Sequence, residues 1–98
     1  MTAKYLRITE VTRICGVSAE FVKRLEKEQV IHTVRRRREK FYPLDQVDRV
    51  RVARLLIDDM GVNLEGADVV LHMREQMIVL QRQFNEVLKL FEQLKKKS

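Results

Sequence analysis

The chain has 98 residues, of which 45% are hydrophobic and 35% are charged, and its formal net charge is +6. This composition excludes a disordered chain, and the single cysteine excludes an internal disulfide. No apolar run approaches the roughly 18–20 residues that a membrane-spanning helix needs, and no signal peptide is recognisable, so we expect a cytoplasmic protein without a membrane partner.

The positive charge lies mainly in the first half of the chain. Residues 1–50 contain 12 lysines and arginines against 7 acidic residues, whereas residues 51–98 contain 8 against 7. An excess of basic residues on one part of a small domain favours a polyanionic partner.

Residues 5–31, YLRITEVTRICGVSAEFVKRLEKEQVI, predict two short helices around a tight turn. Thr9 is the predicted N-cap of the first helix, Gly16 ends it, and Ser18 caps the second, where Glu20 favours the positive end of the helix dipole. The predicted inward-facing residues are Val11, Ile14 and Cys15 on the first helix and Val22 and Leu25 on the second. The predicted outward-facing basic residues of the second helix are Lys23, Arg24 and Lys27. Two helices joined by a glycine turn, the second one basic, form a helix-turn-helix pattern.

The next segment predicts a β-hairpin. Residues 30–34, VIHTV, are rich in β-branched side chains, and residues 40–43, KFYP, form a second short strand that ends at a proline. Four consecutive arginines, residues 35–38, lie between the two strands. The hairpin is therefore predicted to be a wing with an arginine tip, although no Asn-Gly or Asp-Gly marks the turn.

Three roles are open for the arginine run of residues 35–38: phosphate contact, contact with an acidic protein surface, or a solvated tip without a partner. Four adjacent like charges repel one another, which favours a polyanionic partner. The basic helix is less specific, because Glu20, Glu26 and Glu28 alternate with its cations and a mixed face is often only solvated.

Residues 44–61, LDQVDRVRVARLLIDDMG, predict a third helix that ends at Gly61. Its predicted inner positions are Val47, Val50, Ala53, Ile57 and Met60. Asn63 is the predicted N-cap of a further short helix, residues 64–73.

The C-terminal segment has the clearest periodicity in the chain. Its apolar residues recur at alternating steps of three and four, as in the a and d positions of a coiled coil. This predicted dimerisation seam consists of Val70, Met73, Met77, Leu80, Phe84, Val87, Phe91 and Leu94. Leu88 and Leu90 flank the seam. The flanking charges favour neither orientation strongly, and the seam methionines and phenylalanines could line a ligand pocket instead of packing in a dimer.

No motif predicts catalysis, a metal or a cofactor. The chain lacks a Ser-His-Asp set and a glycine-rich phosphate loop, so we expect it not to be an enzyme. His32 and His72 have no further ligands at metal-binding spacing, and Cys15 is most simply a small core residue.

The order of helix-turn-helix, wing, helix pair and terminal coil resembles the MerR superfamily over essentially the whole chain. The resemblance rests on residues 8–31, ITEVTRICGVSAEFVKRLEKEQVI, and residues 41–67, FYPLDQVDRVRVARLLIDDMGVNLEGA. The individual matches are Gly16, Val17 and Ser18 in the turn, Glu26 on the second helix and Tyr42 after the wing.

The resemblance implies a mainly α winged helix-turn-helix fold with a small hairpin wing and a C-terminal coiled coil. Residues 1–61 would bind duplex DNA, and residues 62–98 would form a linker helix and the dimerisation helix. The DNA-contacting residues would be Ser18, Lys23, Arg24, Lys27, Arg35, Arg36, Arg37, Arg38, Lys40 and Tyr42. The protein would be a dimeric transcriptional regulator.

Residues 61–67, GVNLEGA, are similar to two chaperone-linked branches of this superfamily. The HspR-type branch consists of heat-shock repressors that bind DNA, and the CbpM-type branch binds the J-domain of a DnaJ-type co-chaperone. The chain departs from the DNA-binding pattern where Lys23 replaces an arginine, Leu25 a tyrosine and Pro43 a serine cap. We therefore keep two hypotheses, a DNA-binding regulator and a co-chaperone modulator.

Overall fold

The computed structural model describes residues 4–97. In chain order, the elements are β1 (Tyr5–Leu6), α1 (Ile8–Cys15), α2 (Ala19–Lys27), β2 (Val34–Arg36), β3 (Glu39–Pro43), α3 (Leu44–Arg54), a π-helical segment (Leu55–Asp59) and α4 (Leu64–Lys97). The predicted mainly α fold with a winged helix-turn-helix is confirmed.

The turn between α1 and α2 forms as predicted. Gly16 adopts a left-handed φ of 67°, which glycine tolerates best, and its N–H donates to the carbonyl of Thr12 over 2.9 Å. The Ser18 hydroxyl accepts a 3.1 Å hydrogen bond from the N–H of Phe21 and so caps α2. Local chain geometry thus fixes both ends of the turn.

The start of α1 differs from the prediction. The N-cap is Arg7 and not Thr9, because the Arg7 N–H donates over 3.0 Å to Oε1 of Glu10, three residues later. Thr9 lies inside the first turn, where its carbonyl accepts from the Thr12 hydroxyl. Ile14, predicted to face inward, is 60% exposed, and only Val11 and Cys15 are buried on this helix.

The wing is a β-hairpin with a two-residue turn. β2 and β3 pair antiparallel, with Arg36 opposite Glu39, so Arg37 and Arg38 form the turn. Both have positive φ, 52° and 70°, as a type I′ turn requires. On the other side of β3, β1 adds a third antiparallel strand.

The first predicted strand is mostly wrong. Of residues 30–34, only Val34 belongs to β2. Val30 and Ile31 follow α2 and are buried in the core. The carbonyl of Leu25 accepts a 2.8 Å hydrogen bond from the N–H of Val30. Their β-branched side chains therefore indicate burial here and not strand pairing.

The core lies between the three short helices and the wing strand. Its fully buried side chains include Val11, Val22, Leu25, Val30, Ile31, Tyr42, Val50 and Ala53. The inner positions predicted for α2 are therefore confirmed, as are the first three predicted for α3.

The last part of the third predicted helix changes character. Leu55–Asp59 is π-helical, and the wider turn shifts the helix register, so Leu56 is buried. Ile57 is only half-buried and Met60 is 64% exposed, which contradicts the predicted inner positions. Gly61 then takes a φ of 71°, and the N–H of Val62 donates to the carbonyl of Leu56 over 2.9 Å.

The predicted short helix after Asn63 is not separate. A single helix, α4, runs for 34 residues from Leu64 to Lys97. Asn63 caps it as predicted, because its Oδ1 accepts a 2.7 Å hydrogen bond from the N–H of Gly66. By internal contacts the chain divides into two compact units between Asp68 and Val69, whereas the sequence predicts a boundary after residue 61.

Candidate nucleic-acid interface

The basic residues of α2 are all on its outer side. Lys23, Arg24 and Lys27 are exposed, whereas Val22 and Leu25 are fully buried. The three-to-four-residue spacing of the buried residues determines this arrangement, since the helix turns by 3.6 residues. The exposed face thus carries three cations from the middle to the end of the helix, with the exposed Glu20 at its start.

The wing presents a second cationic surface. Residues 35–38 are all exposed. The guanidinium of Arg36 lies 5.0 Å from the centre of the Tyr5 ring, which braces it by a cation–π contact. Arg37 and Arg38 form the outermost point of the hairpin, so these two side chains have the greatest reach.

The base of the wing is joined to the N-terminal end of α1. Arg7 makes a 3.0 Å ion pair with Glu39, and its guanidinium lies 5.6 Å from the centre of the Phe41 ring. Both carboxylate and guanidinium are more than half exposed, so the pair contributes little to stability. It does orient Arg7 toward the wing strand.

Glu26 connects α2 to the wing strand. Its carboxylate accepts two hydrogen bonds from Nζ of Lys40, at 2.9 and 3.1 Å, and one of 3.1 Å from the hydroxyl of Tyr42. The hydroxyl of Thr33 donates a longer, 3.4 Å bond to the same carboxylate. These contacts hold β3 beside the basic helix, so the two cationic surfaces belong to one part of the molecule.

The pKa of the Tyr42 hydroxyl is strongly shifted by its surroundings. Burial, the negative charge of Glu26 and the hydrogen bond to it, in that order, raise the pKa of Tyr42 to about 12. Tyr42 is fully buried, so in this structure its side chain is not exposed for the direct DNA contact that the sequence predicts. Its role in this structure is to position Glu26.

The other predicted contact residues divide into two groups. Lys23, Arg24, Lys27 and the wing arginines are exposed and accessible to a ligand. Ser18 uses its hydroxyl to cap α2, and Lys40 is paired with Glu26. The sequence predicts Lys40 as a DNA contact, and the spacing of residues does not show that Glu26 of α2 faces it.

Arg49 is an internal residue that the sequence reasoning missed. Its Nε donates a 2.9 Å hydrogen bond to the carbonyl of Val30, and its Nη2 lies 3.6 Å from Oδ1 of Asp68. The side chain is only 7% exposed. An arginine within the apolar periodicity of α3 was the available signal.

The segment GVNLEGA has a local structural explanation. Gly61 ends the preceding segment, Asn63 caps α4, and Ala67 is fully buried. A Cβ added to Gly66 would lie 2.9 Å from Cγ1 of Val62 and 3.0 Å from Oδ1 of Asn63. The spacing of small and capping residues is thus what this tight connection requires.

The predicted dimerisation seam forms an exposed apolar stripe on α4. All eight of its residues, Val70, Met73, Met77, Leu80, Phe84, Val87, Phe91 and Leu94, have between 38% and 68% of their surface exposed. The flanking Leu88 and Leu90 are also exposed. A long helix with such a stripe is typical of a coiled-coil partner.

Neither a metal site nor a membrane span is found in residues 4–97. No group of three or more His, Cys, Asp or Glu side chains in that range is arranged to hold a metal ion. No helix of the described part is long and apolar enough to cross a bilayer. Cys15 is buried, its thiol lies 3.6 Å from the carbonyl oxygen of Val47, and burial raises its pKa.

The chain matches a known protein family. The sequence model of a family described as MerR HTH family regulatory protein matches residues 6–89, which include both the helix-turn-helix and most of α4. No curated protein and no solved structure gives a significant match to the chain.

Proposed function

The chain belongs to the MerR helix-turn-helix regulatory family, and we propose that it binds duplex DNA as a homodimer and regulates transcription. The observation that carries this proposal is the pairing of an exposed cationic helix with an arginine wing, which Glu26 holds side by side. Regulators of this family are normally not enzymes.

In the proposed complex, α2 enters the major groove and the wing lies along the flanking backbone. Lys23, Arg24 and Lys27 face the groove, where base edges and phosphates are both within reach. Wing arginines neutralise phosphates, which supplies affinity without sequence information. Lys40 and Tyr42 are left out of the contact set because both are bound to Glu26.

Dimerisation through α4 covers the exposed seam. A continuous apolar stripe of eight residues is more than an isolated soluble helix retains, and packing it against a second copy removes it from water. The charges at the two ends of α4 favour an antiparallel pair, although those beside the middle of the seam do not decide its orientation. Glu65 lies in the first turn of the helix, and Lys95, Lys96 and Lys97 lie at its end. A parallel pair would instead place six terminal lysines together.

A second candidate is a modulator that binds the J-domain of a DnaJ-type co-chaperone. The similarity of GVNLEGA to the chaperone-linked branches favours it. That segment is also accounted for by the capping and packing of Asn63 and Gly66, and the basic α2 and wing do not complement the basic helix of a J-domain. DNA binding is therefore the primary proposal, and control of heat-shock or chaperone genes is a narrower form of it.

Selection from a random DNA pool tests the primary proposal directly. Wild-type protein is used to select duplexes, and its affinity for the best selected duplex and for a random-sequence duplex is measured across a salt series. We expect tighter binding to the selected duplex and a steep fall of affinity with salt. Lys23→Ala and Arg24→Ala should reduce the preference for the selected duplex. Lys89→Gln, which removes one charge off the seam, is the control.

Absence of any duplex binding at low salt would contradict the DNA proposal. In that event, titration of a purified J-domain against the same protein tests the second candidate. If the protein both formed a complex with the J-domain and bound DNA sequence-selectively, it would have both proposed activities.

A further inference from the structure

The carboxylate of Glu26 collects three donors from outside its own helix. Lys40 and Tyr42 are two residues apart on β3 and therefore lie on the same face of that strand. Thr33 approaches from the segment before β2. A carboxylate on a cationic helix is in this way directed to the wing and away from the solvent.

The Glu26–Lys40 pair is partly shielded from water. The side chains of Lys40 and Glu26 are 31% and 26% exposed, and their atoms are 2.9 Å apart. Ion pairs that are partly buried are screened less by water and salt than surface pairs such as Arg7–Glu39. Lys40 could reach a phosphate only by giving up this pair.

We propose that Glu26 is a positioning residue that fixes the wing against α2 and withholds Lys40 from DNA. The proposal rests on the proposed DNA-binding function and specifies how its contact surface is set. Sequence discrimination then depends on a carboxylate that touches no nucleotide, because the wing must be held in one orientation for α2 and the arginines to engage together.

Releasing Lys40 has two opposite consequences for binding. A freed lysine beside the wing is available to any phosphate, so affinity for random duplex rises. The wing is no longer fixed to α2, so the advantage of the preferred duplex falls. Neutralising Glu26 should therefore raise the affinity for random-sequence DNA and lower the preference for the selected duplex.

The test compares Lys40 with its cross-strand neighbour Arg35, which is exposed. Affinity for the wild-type-selected duplex and a random 30-base-pair duplex is measured against salt for wild type, Lys40→Met, Arg35→Met, Glu26→Gln and Glu26→Gln/Lys40→Met. In a dimer, Arg35→Met should lower the slope of log affinity against log salt by up to about 1.8, and Lys40→Met should leave it unchanged. Glu26→Gln should steepen the slope by up to about 1.8 and reduce the preference for the selected duplex several-fold. The double variant should regain the wild-type slope but not the wild-type preference.

A fall in slope for Lys40→Met equal to that for Arg35→Met would overturn the proposal, since Lys40 would then be a phosphate contact. A second arm needs no DNA. Hydrogen exchange of the β2 and β3 amides should quicken in Glu26→Gln and recover in part in Glu26→Asp. Unchanged exchange would overturn the positioning role, whether or not the wild type binds DNA. Failure of the wild type to bind either duplex would by itself contradict only the proposed function.

Discussion

Arg49 and Val30 are joined by a 2.9 Å hydrogen bond from a buried guanidinium to a backbone carbonyl. Val30 lies three residues beyond the end of α2, and Arg49 lies in the middle of α3. The bond therefore fixes the chain after the proposed recognition helix to the helix that supports it. Asp68, 3.6 Å away, supplies the opposite charge from the beginning of α4.

The Arg49–Asp68 pair should contribute more to stability than a shorter ion pair at the surface. Asp68→Asn removes a negative charge from beside a buried guanidinium, and we expect it to lower the free energy of unfolding by about 2–3 kcal/mol. Asp48 is the matched control. It pairs over 2.8 Å with Arg51, which is exposed on α3, so Asp48→Asn should lower the free energy of unfolding by only about 0.5 kcal/mol. Chemical denaturation of both variants measures the difference. Equal losses would mean that burial of Arg49 does not set the energy of its pair.

Features that depend on local chain geometry could be predicted from the sequence. Gly16, Ser18, Gly61 and Asn63 each end or cap a helix as expected, because caps and left-handed turns require particular residues within three or four positions. The exposed apolar stripe on α4 is predictable for the same reason, because its spacing lies along one helix, whereas its role in dimerisation stays a prediction.

Features that depend on distant contacts could not be predicted in this way. Leu56 in the π-helical segment is buried and Met60 after it is exposed, and no local sequence pattern indicates that segment. The sequence predicts Tyr42 and Lys40 as DNA contacts, because nothing in its spacing shows that Glu26 faces them. At the start of α1, Glu10 competes with the Thr9 cap and moves the helix start to Arg7.

Gly66 should be intolerant of alanine although it lies in a helix. Alanine ordinarily stabilises a helix by about 1 kcal/mol relative to glycine. Here its Cβ would lie 2.9 Å from Cγ1 of Val62, so we expect Gly66→Ala to cost about 1 kcal/mol net. In a double-mutant cycle with Val62→Ala, measured by thermal unfolding, the shorter side chain should relieve part of the loss. Strict additivity of the two substitutions would show that the Val62 contact is not the cause.

Tyr42 should make stability fall at high pH. Its pKa is about 12 in the folded protein, above the ordinary value of 10.0, chiefly because of burial and then the charge of Glu26. A raised folded pKa means that the contribution to stability is complete below about pH 10 and is lost as the pH rises through about 12. The wild type should therefore lose stability across this window relative to Tyr42→Phe, which cannot titrate. Unfolding curves of the two proteins at matched pH values give the comparison, and parallel pH profiles would contradict it.

Charge on the α4 seam should prevent assembly. Leu80→Glu with Val87→Glu places two carboxylates at positions that are predicted to be buried in the dimer, so we expect a monomer or an unfolded chain. The control is Asn85→Glu with Gln93→Glu, which adds the same charge off the seam. Analytical ultracentrifugation distinguishes the two proteins by mass. A stable dimer of the seam variant would show that another surface forms the interface.

The tip of the wing should show opposite effects on stability and on binding. Arg37 and Arg38 both have positive φ, a conformation that Asn and Gly adopt at lower cost. Arg37→Asn with Arg38→Gly should therefore raise the free energy of unfolding by about 1 kcal/mol. The same change removes four cations from a dimer and should lower the salt slope of DNA binding by up to about 3.6. Arg36→Gln is the contrasting control, because loss of the 5.0 Å contact with Tyr5 should lower stability and slope together. Denaturation and salt-titration curves of the wild type, the tip variant and Arg36→Gln measure the two effects. A tip variant that is more stable and binds DNA with an unchanged slope would remove Arg37 and Arg38 from the interface.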